Sequence, residues 1–506
     1  MRSSPSSSWA TIAHDPSPTA TCAPHGRCLP LMPRILRLLP LLAALFTSLA
    51  AAAPAHAAST ELTIADDRIL LYGSAKEADK AVKRWQELGV DSVRILAFWP
   101  RIAAQALRTK RPSYFHPSDP NSRGYNWAAV DAAVNRVAAA GMQPMLTLTG
   151  PGPVWSSTSP RRRNGRYKPK PSEYAAFARA AATRYKGGVS RYILWNEPNL
   201  NTWLSPQSYC GSGRCTAVAP HVYRNLVNAA YPAIKKADPD AEVLIGTISS
   251  RGMPARTSRS THRPLDFVRA LGCVDRRYRK LRNKYCTGYK TIRADGFAFH
   301  PHGILTAPNV PFPHPDDVNL ASIRKLEVML DKLQRRGRMK PASSRRWNLY
   351  LDEFGYQTNP PDRTAGVPPR TQDAWLQRAA YQAWRDPRVK LFSNYLWRDE
   401  PVLLGRTYAG WQSGLLFRGG RAKPALQHFA TPFVVDGPRS RLWGQVRPGD
   451  AHKVRVQRRR GGGPWVTIST RTTDARGFWS LRTRLISGAT YRFRTSGGAT
   501  SAAVRH

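Results

Sequence analysis

Acidic residues are scarce in this 506-residue chain: 32 Asp and Glu stand against 78 Lys and Arg, a formal net charge of +46. A field of that sign draws polyanions, whether acidic glycans, phosphate-bearing wall polymers or nucleic acid. The features that would single out nucleic acid are missing. No fold signature and no regular aromatic–basic spacing for base stacking accompanies the charge, so no specific nucleic-acid partner is expected. Long apolar runs are also missing. The one candidate, residues 38–53, is short and Ala-rich, which argues against a membrane span. It lies between a basic stretch (Arg34, Arg37) and Ala55-His56-Ala57, an A-x-A cleavage pattern. Residues 32–57 therefore read as a signal peptide opening at Met32, with Ala58 as the mature N-terminus. Residues 1–31, Ser/Pro-rich and without periodicity, read as an untranslated or disordered extension.

Cysteine is sparse too. Of six in the chain, four follow the leader, in two close pairs: Cys210/Cys215 and Cys273/Cys286. An exported chain meets an oxidising compartment, so two local disulfides are expected. Zinc is the rival for four cysteines, but the C-x4-C and C-x12-C spacings lack the usual C-x2-C knuckle. No metal and no cofactor are expected.

After the leader, strand-like and helix-like segments alternate with a period of about 45 residues, the sign of βα units and a parallel sheet. Eight strand candidates can be counted: 69–73, 93–99, 144–149, 191–195, 242–247, 296–300, 347–351 and 391–397. The helices between them carry apolar stripes such as Ala78, Val82, Trp85 and Leu88. From Gly437 onward the pattern becomes short runs of alternating apolar and polar residues between Gly-rich turns, an antiparallel β-sandwich. The fold class expected is α/β: a (β/α)8 barrel over 58–436, followed by a small, basic all-β sandwich over 437–506.

Two segments carry chemistry. Trp195-Asn196-Glu197-Pro198 and Leu351-Asp352-Glu353-Phe354-Gly355 each place a glutamate directly after a run of strand formers and before a breaker. They close the fourth and seventh strands, and barrel enzymes keep their catalytic groups at such strand exits. Two carboxylates distant in sequence are what glycoside hydrolysis requires: one protonates the leaving oxygen, the other attacks or activates water.

The WNEPN and DEFG segments resemble the acid/base and nucleophile segments of clan A glycoside hydrolases, retaining (β/α)8-barrel enzymes such as families 5 and 39. The resemblance runs in rhythm from Ile64 to Phe433 and is specific at the strand ends. It implies Glu197 as acid/base, Glu353 as nucleophile, and Asn196 as the partner of the sugar 2-hydroxyl. It further implies that the acid holds a proton near neutrality while the nucleophile stays ionised. Arg94, in a Val-Arg-Ile strand similar to that of family 5, is expected to hold Glu353 ionised. His300-Pro301-His302 stands where clan members have His-x-Tyr, so His302 takes the tyrosine's place beside the nucleophile. A metal at this histidine pair is not expected, because the nearest carboxylate in sequence, Asp295, lies at the strand's other end. Trp397 stands where the clan places an aromatic platform under the sugar, and Trp99, Trp155 and Trp203 are further stacking candidates.

The function expected is that of a secreted or envelope-associated retaining glycoside hydrolase. It is expected to be a monomer without a transmembrane span, acting on a carbohydrate. The basic loop with Arg251, Arg256, Arg259 and Arg263 points to an acidic or cell-wall glycan. The alternative is an envelope-associated pseudoenzyme that binds carbohydrate or polyanions without cleaving them.

Overall fold

A computed structural model describes residues 60–401 and 410–506. The expected extension and signal peptide lie outside the described residues. Eight parallel strands close into a barrel in sequence order: β1 (Glu61–Ala65), β2 (Ser92–Phe98), β3 (Gln143–Thr149), β4 (Arg191–Leu194), β5 (Glu242–Ser249), β6 (Gly296–His300), β7 (Leu349–Leu351) and β8 (Val389–Tyr395). β8 pairs back onto β1, Glu61 opposite Leu391. Around it run the helices α1 (Asp67–Tyr72), α2 (Ala75–Glu87), α3 (Ala128–Ala139), α4 (Pro171–Arg184), α5 (Ala219–Ala237), α6 (Pro264–Leu271), α7 (Arg324–Arg335) and α8 (Pro369–Arg385).

One strand expectation is corrected. Ile69-Leu-Leu-Tyr72 is not the first strand but most of α1, and the strand is Glu61–Ala65. A four-residue aliphatic run does not distinguish helix from strand by periodicity. The cap decides: the Asp66 carboxylate accepts from the Ile69 N–H and starts the helix. The expected helix stripes are buried, including Ala78, Val82 and Trp85 on α2.

The barrel interior is packed by Met145, Ile193, Leu244, Ala298, Tyr350 and Leu391. Below this layer Arg191 bridges Glu61 and Glu242 at 2.5 and 2.6 Å, and the Tyr350 hydroxyl bonds Glu242. This ionic cluster fills the N-terminal end of the barrel, and the opposite end, where the strands finish, is where barrel enzymes place their sites.

The C-terminal strands are β9 (Phe433–Asp436), β10 (Arg441–Gln445), β11 (Lys453–Arg459), β12 (Val466–Thr472), β13 (Phe478–Arg482), β14 (Thr490–Thr495) and β15 (Val504–Arg505). They form two antiparallel sheets, β9-β10-β13 and β12-β11-β14-β15, around Leu442, Val454, Trp479, Tyr491 and Phe493. The all-β unit therefore begins at Phe433, one strand before the boundary expected at 437, because Val434 and Val435 pair with Trp443 and Leu442. Its outer face packs on α8 through Trp443 and Phe478 against Tyr381, whose hydroxyl bonds Asp436 at 2.7 Å. Both expected disulfides, Cys210–Cys215 and Cys273–Cys286, are present. No described helix is long and apolar enough to cross a membrane.

Candidate active site

The β4 ladder stops at Leu194 because the next residues leave extended backbone: Trp195 has φ 72° and Glu197 φ 37°. Left-handed backbone at such side chains costs on the order of 1–3 kcal/mol per residue and persists only where neighbours over-determine it. They do so here. The Trp195 N–H bonds Leu148 O at 3.0 Å, and its indole is enclosed beside Tyr174. The Glu197 N–H bonds Thr247 O at 3.0 Å, within a bulge of β5. Asn199 accepts from the Ser249 N–H and donates to His262 O. This turn carries Asn196 and Glu197 over the barrel mouth.

At the end of β7, Asp352 and Glu353 follow the last paired residue, Leu351. Gly355 is required there, since a Cβ would stand 2.1 Å from Tyr395 O on the adjacent β8.

Arg94 lies fully enclosed in β2 and binds three of these groups. Its Nη1 donates to Glu353 Oε1 at 2.8 Å and its Nη2 to Asn196 Oδ1 at 2.7 Å. Its Nε stands 3.1 Å from Asp352 Oδ2, an ion-pair contact without hydrogen-bond alignment. The rigid planar fork of arginine reaches all three groups from one guanidinium, a spread that the compact ammonium of lysine does not match. His300 is equally enclosed. Its Nδ1 lies 3.1 Å from Glu197 Oε1 and 3.5 Å from Glu353 Oε2, while Nε2 faces Asp352 Oδ2 at 3.3 Å. Burial works against a charged imidazole, yet Glu353 and Asp352, with hydrogen bonds to Asp352 and Glu197, lift its pKa to about 10. Burial likewise opposes the charge of Glu353. His300 first, then Arg94 and His302, overcome it and hold the carboxyl at about 2.

Two carboxylate oxygens facing one nitrogen cannot be farther apart than those two contacts laid end to end. His302 stands beside them, its Nε2 3.7 Å from Glu353 Oε2 and its Nδ1 3.4 Å from Gly355 O. Its ring stacks between Phe354 and Trp411.

The structure thus brings Arg94, Asn196, Glu197, His300, His302 and Glu353 to one place. It puts Trp397 elsewhere. That ring is 5% exposed and packs edge-on against Trp85 of α2, on the outside of the barrel. The expectation fails because β8 ends at Tyr395, so Trp397 lies two residues past the last pleat. Near Glu353 the aromatic groups are Tyr395 and the half-buried Trp411, 5.7 Å apart. Trp99 and Trp155 are core residues, Trp99 stacking on Phe177, whereas Trp203 is partly exposed beside Phe98.

Two carboxylates were not assigned from sequence. Asp352 was hidden by strand alternation, which would turn it away from its neighbour Glu353. Asp67 accepts from the Leu96 N–H at 2.6 Å, and burial raises its pKa to about 6. It sits at the start of α1, two residues before the run 69–73 expected as a strand. The carboxylate beside the His300/His302 pair is not Asp295. Glu353, distant in sequence, brings its carboxylate within 4.8 Å of the ligand atoms of His300 and His302. Those atoms already serve the ionic network around Glu353.

Residues 53–271 match the family model described as Cellulase (glycosyl hydrolase family 5). No curated protein matches the chain. Among solved structures, the chain is similar to a GH39 β-xylosidase from Caulobacter crescentus at 17% identity, covering 80% of this chain and 83% of that one, with a TM-score of 0.47. A GH5_18 protein from Streptomyces cattleya in complex with GlcNAc aligns at 15% identity over 76% and 84%, TM-score 0.47. A family 1 β-glucosidase from Thermotoga maritima aligns at 13% identity over 72% and 95%, TM-score 0.46.

Proposed function

We propose that this chain is a clan A glycoside hydrolase that cleaves O-glycosidic bonds of a poly- or oligosaccharide by double displacement with net retention of configuration, a reading supported by the glycosyl hydrolase family 5 match over residues 53–271. The observation that carries the reading is the pairing of Glu197 and Glu353 across His300 Nδ1, with Arg94 and His300 holding Glu353 ionised. In the first step a Glu353 oxygen attacks the anomeric carbon. The bond to the leaving oxygen breaks as Glu197 gives that oxygen its proton. In the second step Glu197, now a carboxylate, takes a proton from water. The hydroxide oxygen bonds the anomeric carbon and Glu353 departs. Retaining enzymes keep their carboxyl groups about 5–5.5 Å apart, whereas inverting enzymes leave about 6.5–9.5 Å for a water. Contacts of 3.1 and 3.5 Å to a shared nitrogen favour the narrower gap.

Asn196, oriented by Arg94, is assigned the sugar 2-hydroxyl, and Trp411 takes the stacking role that Trp397 cannot fill. His302, with its Nε2 toward Glu353, substitutes for a tyrosine as the nucleophile's orienting partner. Two disulfides fit an oxidising compartment, so the protein acts outside the cytoplasm, exported by the leader at 32–57.

The test separates the two glutamates. Glu353→Ala should abolish turnover for any leaving group, and added azide should restore it with inverted product. Glu197→Ala should keep most of its glycosylation rate on an activated aryl glycoside and lose about 10²–10⁴-fold on a natural one. Azide should speed that variant with retained configuration. Identical responses of the two variants would refute the assignment.

A further inference from the structure

Away from the catalytic carboxylates, a cleft of about 610 Å³ opens between the start of α4, the first half of α5 and the loop tied by Cys273–Cys286. No Asp or Glu lines it, while Lys168, Arg224, Lys284 and Lys290 do. Among the described residues none of these four pairs with a carboxylate. Arg224 is the least expected of them, because it is only 4% exposed. Its guanidinium is met by the carbonyls of Leu271 and Tyr285, the Cys273 sulfur and His221 Nδ1, none of them an anion. Withdrawing a cation from water is costly unless an opposite charge answers it. Burial pushes the Arg224 pKa down; Tyr289 opposes it, and Arg338 adds a smaller downward push. The cleft is thus a recess whose charged lining residues are all cations, one of them withdrawn from water, which is chemistry for an anion.

Its upper edge continues onto an aromatic surface. The Lys168 ammonium lies 4.8 Å from the Tyr209 ring and 5.7 Å from the Tyr167 ring. Arg162 covers the Tyr167 ring at 4.6 Å, and the two tyrosine hydroxyls are 3.3 Å apart. Tyr209 is 40% exposed. Tyr167 belongs to the loop after β3 and Tyr209 to the hairpin Ser208–Gly211/Arg214–Ala217 after β4. Both loops leave the barrel at the end where Glu197 and Glu353 lie. These cations hold one side of the tyrosine pair; the exposed side of Tyr209 is an aromatic surface for the C–H face of a sugar ring, and Lys168 and Arg162 beside it can take a carboxylate or sulfate.

We propose that this cleft and the adjoining tyrosine pair form an accessory binding site for an anionic glycan, holding its charged groups while the chain crosses the rim toward Glu197 and Glu353. The direction of the glycan, though not its binding, rests on the hydrolase reading above.

The experiment is affinity electrophoresis of the intact protein through gels containing polygalacturonate, chondroitin sulfate, neutral glucomannan or DNA. Lys168→Ala/Lys284→Ala/Lys290→Ala is compared with Lys76→Ala/Lys80→Ala/Lys83→Ala on the exposed face of α2, which removes the same charge elsewhere. Tyr209→Ala removes an aromatic face without changing charge. The cleft triple variant should bind the anionic glycans about tenfold or more weakly, whereas the α2 variant should stay within about twofold of the parent. Tyr209→Ala should weaken binding to the same two glycans. The polygalacturonate and chondroitin sulfate arms decide between carboxylate and sulfate. Equal losses in the two triple variants would overturn the proposal, because the general +46 field would then explain retention. Cleft-dependent retention by DNA but not by either glycan would overturn it in favour of a nucleic-acid site. Turnover of a small aryl glycoside, measured in parallel, reports the hydrolase reading separately. Its loss in the parent protein sinks that reading alone, and its persistence in a cleft variant with unchanged glycan retention sinks this one alone.

Discussion

Replacing Arg94 by Met tests how the site keeps Glu353, the proposed nucleophile, charged. The side chain is fully enclosed and touches Glu353 at 2.8 Å, Asp352 at 3.1 Å and Asn196 at 2.7 Å. An adjacent cation lowers a carboxylate pKa by about 1–3 units, each worth about 1.36 kcal/mol. Glu353 stands at about 2, so without Arg94 it should rise by that amount, with His300 still opposing full neutralisation. The acid limb of kcat/KM against pH should move up by about 1–3 units. Stability should also fall, by about 3–5 kcal/mol, because two buried carboxylates lose their partner. The sign is set by linkage: Glu353 is depressed below its ordinary value of 4.5, so it contributes stability above pH 4.5 that is lost as pH falls toward about 2. The variant should lose that contribution at a higher pH. Arg94→Lys should lie between the two, since it keeps the charge but not the three-way fork. An acid limb unmoved in Arg94→Met, with a folded protein by circular dichroism, would show that Arg94 does not hold Glu353 ionised.

Proton NMR of the first-formed sugar should show the substrate's own anomer; the opposite anomer at early times would remove Glu353 from the nucleophile's role. Trp397→Ala should cost about 3–5 kcal/mol of stability, as large core deletions do, and leave KM nearly unchanged, whereas Trp411→Ala should raise KM with little loss of stability. Thermal melts and initial rates on the same preparations would expose a reversed pattern. His300 carries a pKa raised to about 10, so its contribution is complete below pH 6.5 and fades as pH rises through about 10. The parent should lose stability over that window, and His300→Gln should lose less; parallel curves would count against a buried imidazolium. Non-reducing peptide mapping should find both disulfides, and removing Cys273–Cys286 should cost about 2–3 kcal/mol by chemical denaturation. Four free thiols would contradict the pairing.

Much of this protein was readable one segment at a time. Eight βα periods, the switch to alternating strands near the C-terminus, two local cysteine pairs and two glutamates at strand exits are all local patterns. A barrel whose strands follow in sequence order turns such spacing directly into position. Local pattern failed where a neighbour distant in sequence decided the outcome. Ile69–Tyr72 reads equally as strand or helix until Asp66 caps it. Trp397 reads as the last residue of a strand until the turn after Tyr395 sends it outward to Trp85. Asp352 reads as the neighbour facing away from Glu353, yet Arg94 from β2 and His300 from β6 reach it at the barrel mouth. The charges of Glu353 and His300 belong wholly to the tertiary structure. A carboxyl at about 2 and an imidazole at about 10 require groups from β2, β4, β6 and β7 to meet in a space largely withdrawn from water, where the field between them is strong. Sequence spacing names those groups, but only the closed barrel sets the distances at which their charges act.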